Sequence, residues 1–215
     1  MLKINYFFFV LCFSSITISQ NIGVRFGITT ATITGNNDSY DFDFINSLSP
    51  GYQASMLGRF VLSDVIIFKP ELSYRQYTLK QKDNFDIYPN VQVDQKYIVV
   101  SSDFNFDIEL SNSSSCIFGM GLDYLMKKKQ TIFFPDIEEE YIYNLKNNPI
   151  DSRFDPFAII GFCYKINSNI LLDIQYRHLL DNWGTVDDES TSHIVNSSNG
   201  SVKLHMINLS TAILF

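Results

Sequence analysis

The 215-residue sequence contains few of the residues that usually build an active site: three histidines, three cysteines and one tryptophan. No His-x-x-His, Cys-x-x-Cys or Glu-x-x-His spacing occurs, so no metal site is supported, and no glycine-rich phosphate loop is present. His178 has Asp181 nearby in the sequence, and His193 has Ser192 and Asp188. Serine and aspartate are so frequent in these segments that such neighbours arise by chance. We therefore expect no enzyme, no catalytic residue and no cofactor.

The sequence also lacks the ~20-residue apolar run that a transmembrane helix requires. Near the N-terminus a single cation, Lys3, precedes a shorter apolar run, and small polar residues follow. This is the layout of a secretory signal peptide, and Thr17 and Ser19 fit a cut before Gln20. A buried N-terminal strand is the alternative. We expect residues 1–19 to be a cleaved signal peptide and residues 20–215 to form one domain.

Basic residues are outnumbered by acidic ones. The formal net charge of −7 becomes −8 once Lys3 is removed (−7 − 1 = −8), which argues against a nucleic-acid partner. Beyond the signal peptide only Cys116 and Cys163 remain, and both lie in apolar strand patterns. Free thiols are the ordinary state of such residues, although a disulfide in an oxidising compartment stays open.

Period-two alternation of apolar and polar residues recurs along the chain and predicts strands instead of helices. The predicted strands are mostly ten to fifteen residues long, whereas strands of ordinary globular proteins have about five or six. A tilted strand that crosses a membrane needs about nine to eleven. The eight predicted strands lie at residues 23–33, 51–62, 66–80, 96–109, 115–126, 155–166, 169–179 and 202–215.

The connections between these strands alternate between short and long. Tight turns are predicted at residues 63–65, around Asn112 and at 167–168. Outer-membrane barrels show this asymmetry, with short periplasmic turns and long extracellular loops. We therefore predict an eight-stranded antiparallel up-and-down transmembrane β-barrel. The long connections span residues 34–50, 81–95, 127–154 and 180–201.

Each strand has one apolar and one polar face. Along the seventh strand, for example, Leu172 and Ile174 alternate with Asp173. We assign the apolar faces to lipid, because the polar faces contain cations and anions in equal number, and because side chains can fill the lumen of an eight-stranded barrel. A soluble lipocalin-like barrel, with the opposite sense, is the alternative. The predicted lumen network comprises Arg25, Arg59, Lys69, Glu71, Arg75, Asp103, Asp107, Asp123, Asp173 and Arg177.

The chain ends in an alternating strand, LHMINLSTAILF, whose last residue is Phe215. This end resembles the signal that the outer-membrane barrel assembly machinery reads. Four further segments resemble the PorT-like family of outer-membrane β-barrel domains, which is common in Bacteroidetes: QNIGVRFGITTA, KPELSYRQY, FGMGLDYLM and IIGFCYKINSNILLDIQYRHLLDN. The PELSY run, residues 70–74, is the most specific. The chain departs from the family pattern at residues 177–180, where a glycine is expected before the leucine.

The resemblance implies a barrel in the outer membrane of a Gram-negative bacterium and supplies no catalytic residue. Some members of that family are linked to protein secretion. We expect outer-membrane lipid around the barrel and a binding role for the outer loops, with a surface or secretion component as partner. The alternatives are a small outer-membrane enzyme acting on lipid and a soluble lipocalin-like secreted carrier.

The third long connection, residues 127–154, is the most distinctive of the loops. Three lysines, residues 127–129, stand where cations pair with lipid phosphate. Three adjacent glutamates usually mark a solvated edge, but they also suit a divalent cation or a basic partner. The aromatic residues nearby either extend the strand hairpin or form a contact patch. This predicted loop patch comprises Phe133, Phe134, Glu138, Glu139, Glu140, Tyr141 and Tyr143.

Overall fold

The structure is a computed structural model that describes residues 20–35, 49–83, 91–134, 139–145, 154–180 and 202–215. These residues form nine β-strands, and none of them lies in a helix that is long and apolar enough to cross a membrane. The strands are β1 (Gln20–Gly35), β2 (Ser49–Val61), β3 (Ile66–Asp83), β4 (Val91–Ser111), β5 (Ser114–Phe134), β6 (Glu139–Leu145), β7 (Phe154–Lys165), β8 (Ile170–Leu179) and β9 (Val202–Leu214).

Eight of the strands close into a ring. Each pairs antiparallel with its neighbour in the order β1, β2, β3, β4, β5, β7, β8 and β9, and β9 pairs back with β1. Strand β6 pairs only with the last part of β5, beyond the residues that pair with β7. The predicted fold class, an eight-stranded antiparallel up-and-down barrel, is therefore confirmed, and closure leaves no unpaired edge around the ring.

Several strands run further than the sequence pattern predicted, and β3, β4 and β5 do so into the predicted loops 81–95 and 127–154. The β3–β4 ladder continues to the pair Asp83 and Val91, and β5 extends to Phe134. The alternation persists there, because Val91 and Val93 are buried on the inner side. Much of the predicted loops 81–95 and 127–154 is therefore strand. The other predicted loop residues, 36–48, 84–90, 135–138, 146–153 and 181–201, lie outside the described residues, as does the predicted signal peptide.

The tight turns, the first residues of β1 and the last residues of β9 lie together at one end of the barrel. We call this the turn end, and the opposite end the loop end. Side chains close the turns. The Asn167 Oδ1 atom accepts hydrogen bonds from the backbone N–H groups of Asn169 and Ile170, each at 2.8 Å. Ser63 Oγ similarly accepts from the N–H of Ile66 at 3.2 Å. Asn and Ser at these positions favour compact reversals of the chain.

The outer surface of the ring is apolar on all eight strands. Met56 is 64% exposed, Ile28 54% and Leu209 52%. A soluble monomer rarely exposes a contiguous apolar patch of more than a few hundred Å², so a surface of this kind suits hydrocarbon and not water. We call this surface the apolar belt; it comprises Ile22, Phe26, Ile28, Met56, Leu72, Phe104, Phe106, Phe118, Met120, Leu122, Ile160, Phe162, Leu172, Ile174, Ile207, Leu209 and Ile213.

Candidate functional site

The lumen contains two clusters of buried ion pairs. In the upper cluster, which is the one farther from the turn end, Arg177 bridges two carboxylates. Its Nη1 atom is 2.7 Å from Asp103 Oδ2, and its Nη2 atom is 2.6 Å from Asp123 Oδ1. Arg75 also pairs with Asp103, and its Nη1 atom is 3.6 Å from Asp123 Oδ1. Two cations and two anions from four strands thus bind one another in the middle of the barrel.

The lower cluster lies closer to the turn end. Arg25 pairs with Glu71 and, through Nη2, with Asp173 Oδ2 at 2.6 Å. The Lys69 ammonium is 2.7 Å from Asp107 Oδ2 and 3.9 Å from Asp173 Oδ1. All five residues are at most 5% exposed. Buried charges of this kind are tolerated because each one has an opposite charge in contact.

Nine of the ten residues predicted for the lumen network are in these two clusters. The tenth, Arg59, lies at the turn-end rim and is partly exposed, with its Nη2 atom 3.6 Å from Glu109 Oε1. Lys165 reaches the same carboxylate at 3.4 Å. Sequence reasoning did not select Glu109 and Lys165, because both stand at the ends of strands, where the alternation no longer reports which side is buried.

An apolar layer lies on each side of the charges. Along β8 the inward residues run Leu171, Asp173, Gln175, Arg177 and Leu179, so polar side chains are flanked by leucines at both ends. These layers were not predicted from the sequence, because the inner face was identified by its polar residues, although Leu171 and Leu179 are in phase with Asp173. The turn-side layer comprises Leu57, Ile117, Cys163, Leu171, Ala212 and Leu214; the loop-side layer comprises Ala31, Tyr77, Leu79, Tyr97, Val99, Phe157, Leu179, Leu204 and Met206.

The two cysteines of the barrel are free. Cys163 is buried in the turn-side layer, whereas Cys116 points outward from the neighbouring strand. In the ladder Cys163 pairs with Ser115, and Cys116 with Phe162. The thiols therefore stand on opposite faces of the sheet, and the disulfide that the sequence left open does not form.

A β-bulge in β5 produces a cationic patch above the apolar belt. Between Leu125 and Lys127 the β4–β5 register shifts by one residue, and Met126 is the extra residue. Beyond the bulge the outward side chains are Lys127 and Lys129, and Lys129 lies directly opposite Lys96 of β4. Like charges in direct opposition are destabilising, and the ion pairs of the described residues include none of these three lysines.

The predicted loop patch is divided between the two sides of the β5–β6 hairpin. Phe134 pairs with Glu139 and Ile132 with Tyr141, so these residues share one side, and Phe134 stacks edge-on against Tyr141 at 5.8 Å. Phe133 pairs with Glu140 on the other side. Glu138 and the side chain of Tyr143 lie outside the described residues. The hairpin therefore presents aromatic and acidic groups on both of its faces.

Of the two histidines that the sequence offered for catalysis, the structure describes His178. His178 lies on β8 opposite His205 of β9, on the outer surface. Asp181, Asp188, Ser192 and His193 lie outside the described residues. Among the described residues no group of three or more His, Cys, Asp or Glu side chains is arranged to hold a metal ion.

Solved structures that the chain resembles include bacterial outer-membrane proteins. The attachment invasion locus protein Ail of Yersinia pestis aligns with a TM-score of 0.50 and 12% identity over 92% of this chain and 100% of its own. Neisserial surface protein A gives 0.48 and 12% over 92% and 99%. The outer membrane protease OmpT of Escherichia coli gives 0.49 and 7% over 94% and 100%. No protein-family model and no curated protein matches the chain.

Proposed function

We propose that this protein is a non-enzymatic barrel of a Gram-negative outer membrane whose loop end binds another protein. The inverted polarity of the barrel is the observation that carries the proposal. Apolar side chains cover the outside, and paired charges fill the inside. Lipid is the environment that suits such an exterior. Because the lumen is closed by two apolar layers, recognition is left to the parts beyond the barrel.

Export and insertion follow from the same proposal. A cleaved signal peptide, residues 1–19, directs the chain out of the cytoplasm, and the final strand ending in Phe215 is read by the barrel assembly machinery. Phe215 is 75% exposed, and its backbone N–H donates to the Ile22 carbonyl at 2.9 Å, which joins the chain end to β1. A C-terminal aromatic side chain is thus held outward at the turn end, which is the periplasmic side in this orientation.

Outer-membrane lipid is the first partner that the surface supports. The cationic patch of Lys96, Lys127 and Lys129 lies immediately above the apolar belt on the side of the long loops. Cations at this height are placed to bind phosphate groups of the outer leaflet while the belt contacts the acyl chains. The mutual repulsion of Lys96 and Lys129 favours a phosphate between them.

The second partner is a protein that binds the β5–β6 hairpin. Tyr141 is 45% exposed and Phe133 39%, and the adjacent Glu139 and Glu140 are exposed carboxylates. Aromatic groups next to acidic ones are suited to a partner with an apolar centre and a basic rim. The resemblance of residues 70–74 to PorT-like barrels supports membership of that family and favours a secretion component as the partner. That run forms part of the wall, with Glu71 inside and Leu72 outside.

Site-specific photo-crosslinking in intact cells tests this function. A crosslinking residue in place of Tyr141 is expected to give a discrete protein adduct, and one in place of Leu122, inside the apolar belt, is expected to give lipid adducts alone. Fractionation of the same cells should place both variants in the outer membrane, with the faster gel migration of an unheated barrel. A soluble chain, or the same products at both positions, would contradict the proposal.

A further inference from the structure

Three donor atoms from two neighbouring strands converge on the outer surface near the loop end. His178 and His205 are the last pair of the β8–β9 ladder, and their Nδ1 atoms are 3.2 Å apart. The hydroxyl oxygen of Tyr176, two residues earlier on β8, is 2.5 Å from His205 Nδ1. The Tyr176 ring stacks on the His205 ring, and the two histidine rings are tilted by 37° with their centroids 4.9 Å apart. We call these residues the histidine pair and its tyrosine.

We propose that the histidine pair and its tyrosine bind one divalent transition-metal ion. An imidazole nitrogen that binds such an ion lies about 2.0–2.1 Å from it. If the nitrogen–metal–nitrogen angle is between about 90° and 109°, the two nitrogens are about 2.9–3.4 Å apart. The observed separation of 3.2 Å lies inside this interval. The Tyr176 oxygen becomes the third ligand after a small shift. Imidazole ligands suit zinc, copper and nickel, and copper(II) is bound most tightly in this series.

A hydrogen-bonded arrangement without an ion satisfies these atoms less well. Each imidazole Nδ1 has either one proton or one lone pair. His205 Nδ1 faces two neighbours at hydrogen-bond distance, the Tyr176 hydroxyl and His178 Nδ1. It cannot make a well-directed bond to both. A cation at the centre accepts a lone pair from all three atoms, and the imidazole protons then reside on the two Nε2 atoms.

The position of the site on the barrel is also suitable for an ion. On β9 the outward residue below His205 is Ile207 of the apolar belt, and the one above it is Lys203. Both histidines are partly exposed, so an ion can reach them from water at the loop end. The two histidines are 27 residues apart in the chain, and for this reason no ligand spacing is visible in the sequence.

Copper(II) titration followed by electron paramagnetic resonance tests the site. The tag-free chain, with Cys116→Ser in every variant to remove an outward thiol, is folded in detergent micelles. We expect one bound copper ion whose spectrum shows coupling to two imidazole nitrogens. His178→Ala and His205→Ala should each weaken binding by at least about tenfold, a loss that even changes to outer-shell partners of metal ligands cause. His193→Ala, a histidine of the last long loop, is the matched control and should bind as the parent does.

Each variant must also show the gel shift of a folded barrel. If one variant fails to fold, the proposal is tested by the nitrogen coupling in the spectrum of the parent chain and by a competition titration with zinc(II). Affinity that is the same in the parent, His178→Ala and His205→Ala chains would overturn the proposal. A parent spectrum without imidazole coupling, or loss of binding in His193→Ala, would overturn it as well.

Discussion

Arg177 shows how single residues specify the interior. Its guanidinium group is fully buried and contacts Asp103 and Asp123, which come from two different strands. A buried ion pair contributes little net stability, because desolvation offsets most of the attraction, but removing one partner leaves a buried charge without compensation. Gly121 provides the space for this group, since a Cβ atom there would lie 2.7 Å from Arg177 Nη2.

Replacing Arg177 by Met should therefore lower the free energy of unfolding by about 3–5 kcal/mol, because two carboxylates lose their shared cation in a buried environment. Arg59→Met is the matched control: this arginine is at the rim and partly exposed, so a loss of about 1 kcal/mol or less is expected. Urea unfolding in lipid vesicles measures both. Equal losses in the two variants would contradict the buried network.

Which residues could be read from the sequence depends on their position along the strand. Alternation identified Asp173 and Arg177 because inward and outward residues alternate regularly along β8. The predicted lumen network also included Arg59, which lies at the rim and is partly exposed, but it omitted inward leucines such as Leu171 and Leu179 because only charged residues were selected. The pairing of His178 with His205 was not predicted, since a long connection, and not a tight turn that fixes the register, is predicted between their strands.

At the scale of elements, the number of strands was predictable, but their ends were not. Strand β5 illustrates the reason. It is one of the two longest strands of the described chain, and the bulge at Met126 shifts its alternation by one residue, so that the inward positions change from odd numbers to even. When the alternation of inward and outward residues changes phase, the sequence pattern indicates the end of a strand. The predicted strand therefore stopped at residue 126.

Deletion of Met126 should be tolerated, because it removes the extra residue and leaves the side chains before and after it on their present faces. The barrel should still show its gel shift. Deletion of Leu122 is the control: it moves Asp123 to the lipid side and away from Arg177, since a one-residue slip turns every following side chain over. That variant should fail to fold. A folded Leu122 deletion, or an unfolded Met126 deletion, would disprove this interpretation of the bulge.

At the scale of the whole molecule, the lumen has three zones. Paired charges occupy the middle, and apolar layers lie on the turn side and on the loop side. An eight-stranded ring encloses only enough space for side chains. The barrel is therefore a closed cylinder, and the hairpin, the cationic patch and the histidine pair all lie at its loop end.

A closed lumen predicts the absence of a conducting pore. The purified barrel, inserted into planar lipid bilayers, should produce no stable single-channel current steps, because an ion would have to cross two apolar layers as well as the charge clusters. Steps that recur with one conductance in independent insertions, and that vanish after heat denaturation of the protein, would be incompatible with the closed interior.

The orientation of the two faces is the central claim, and depth-dependent fluorescence quenching measures it most directly. In a Trp183→Phe background, a tryptophan replaces either Leu209, in the apolar belt, or Val65, which is 51% exposed in a tight turn at the turn end. The chains are folded into vesicles whose lipids are brominated at mid-chain. We expect blue-shifted, strongly quenched emission from the Leu209→Trp chain and little quenching from the Val65→Trp chain. Unquenched, water-like emission at position 209 would show that the apolar belt does not face lipid.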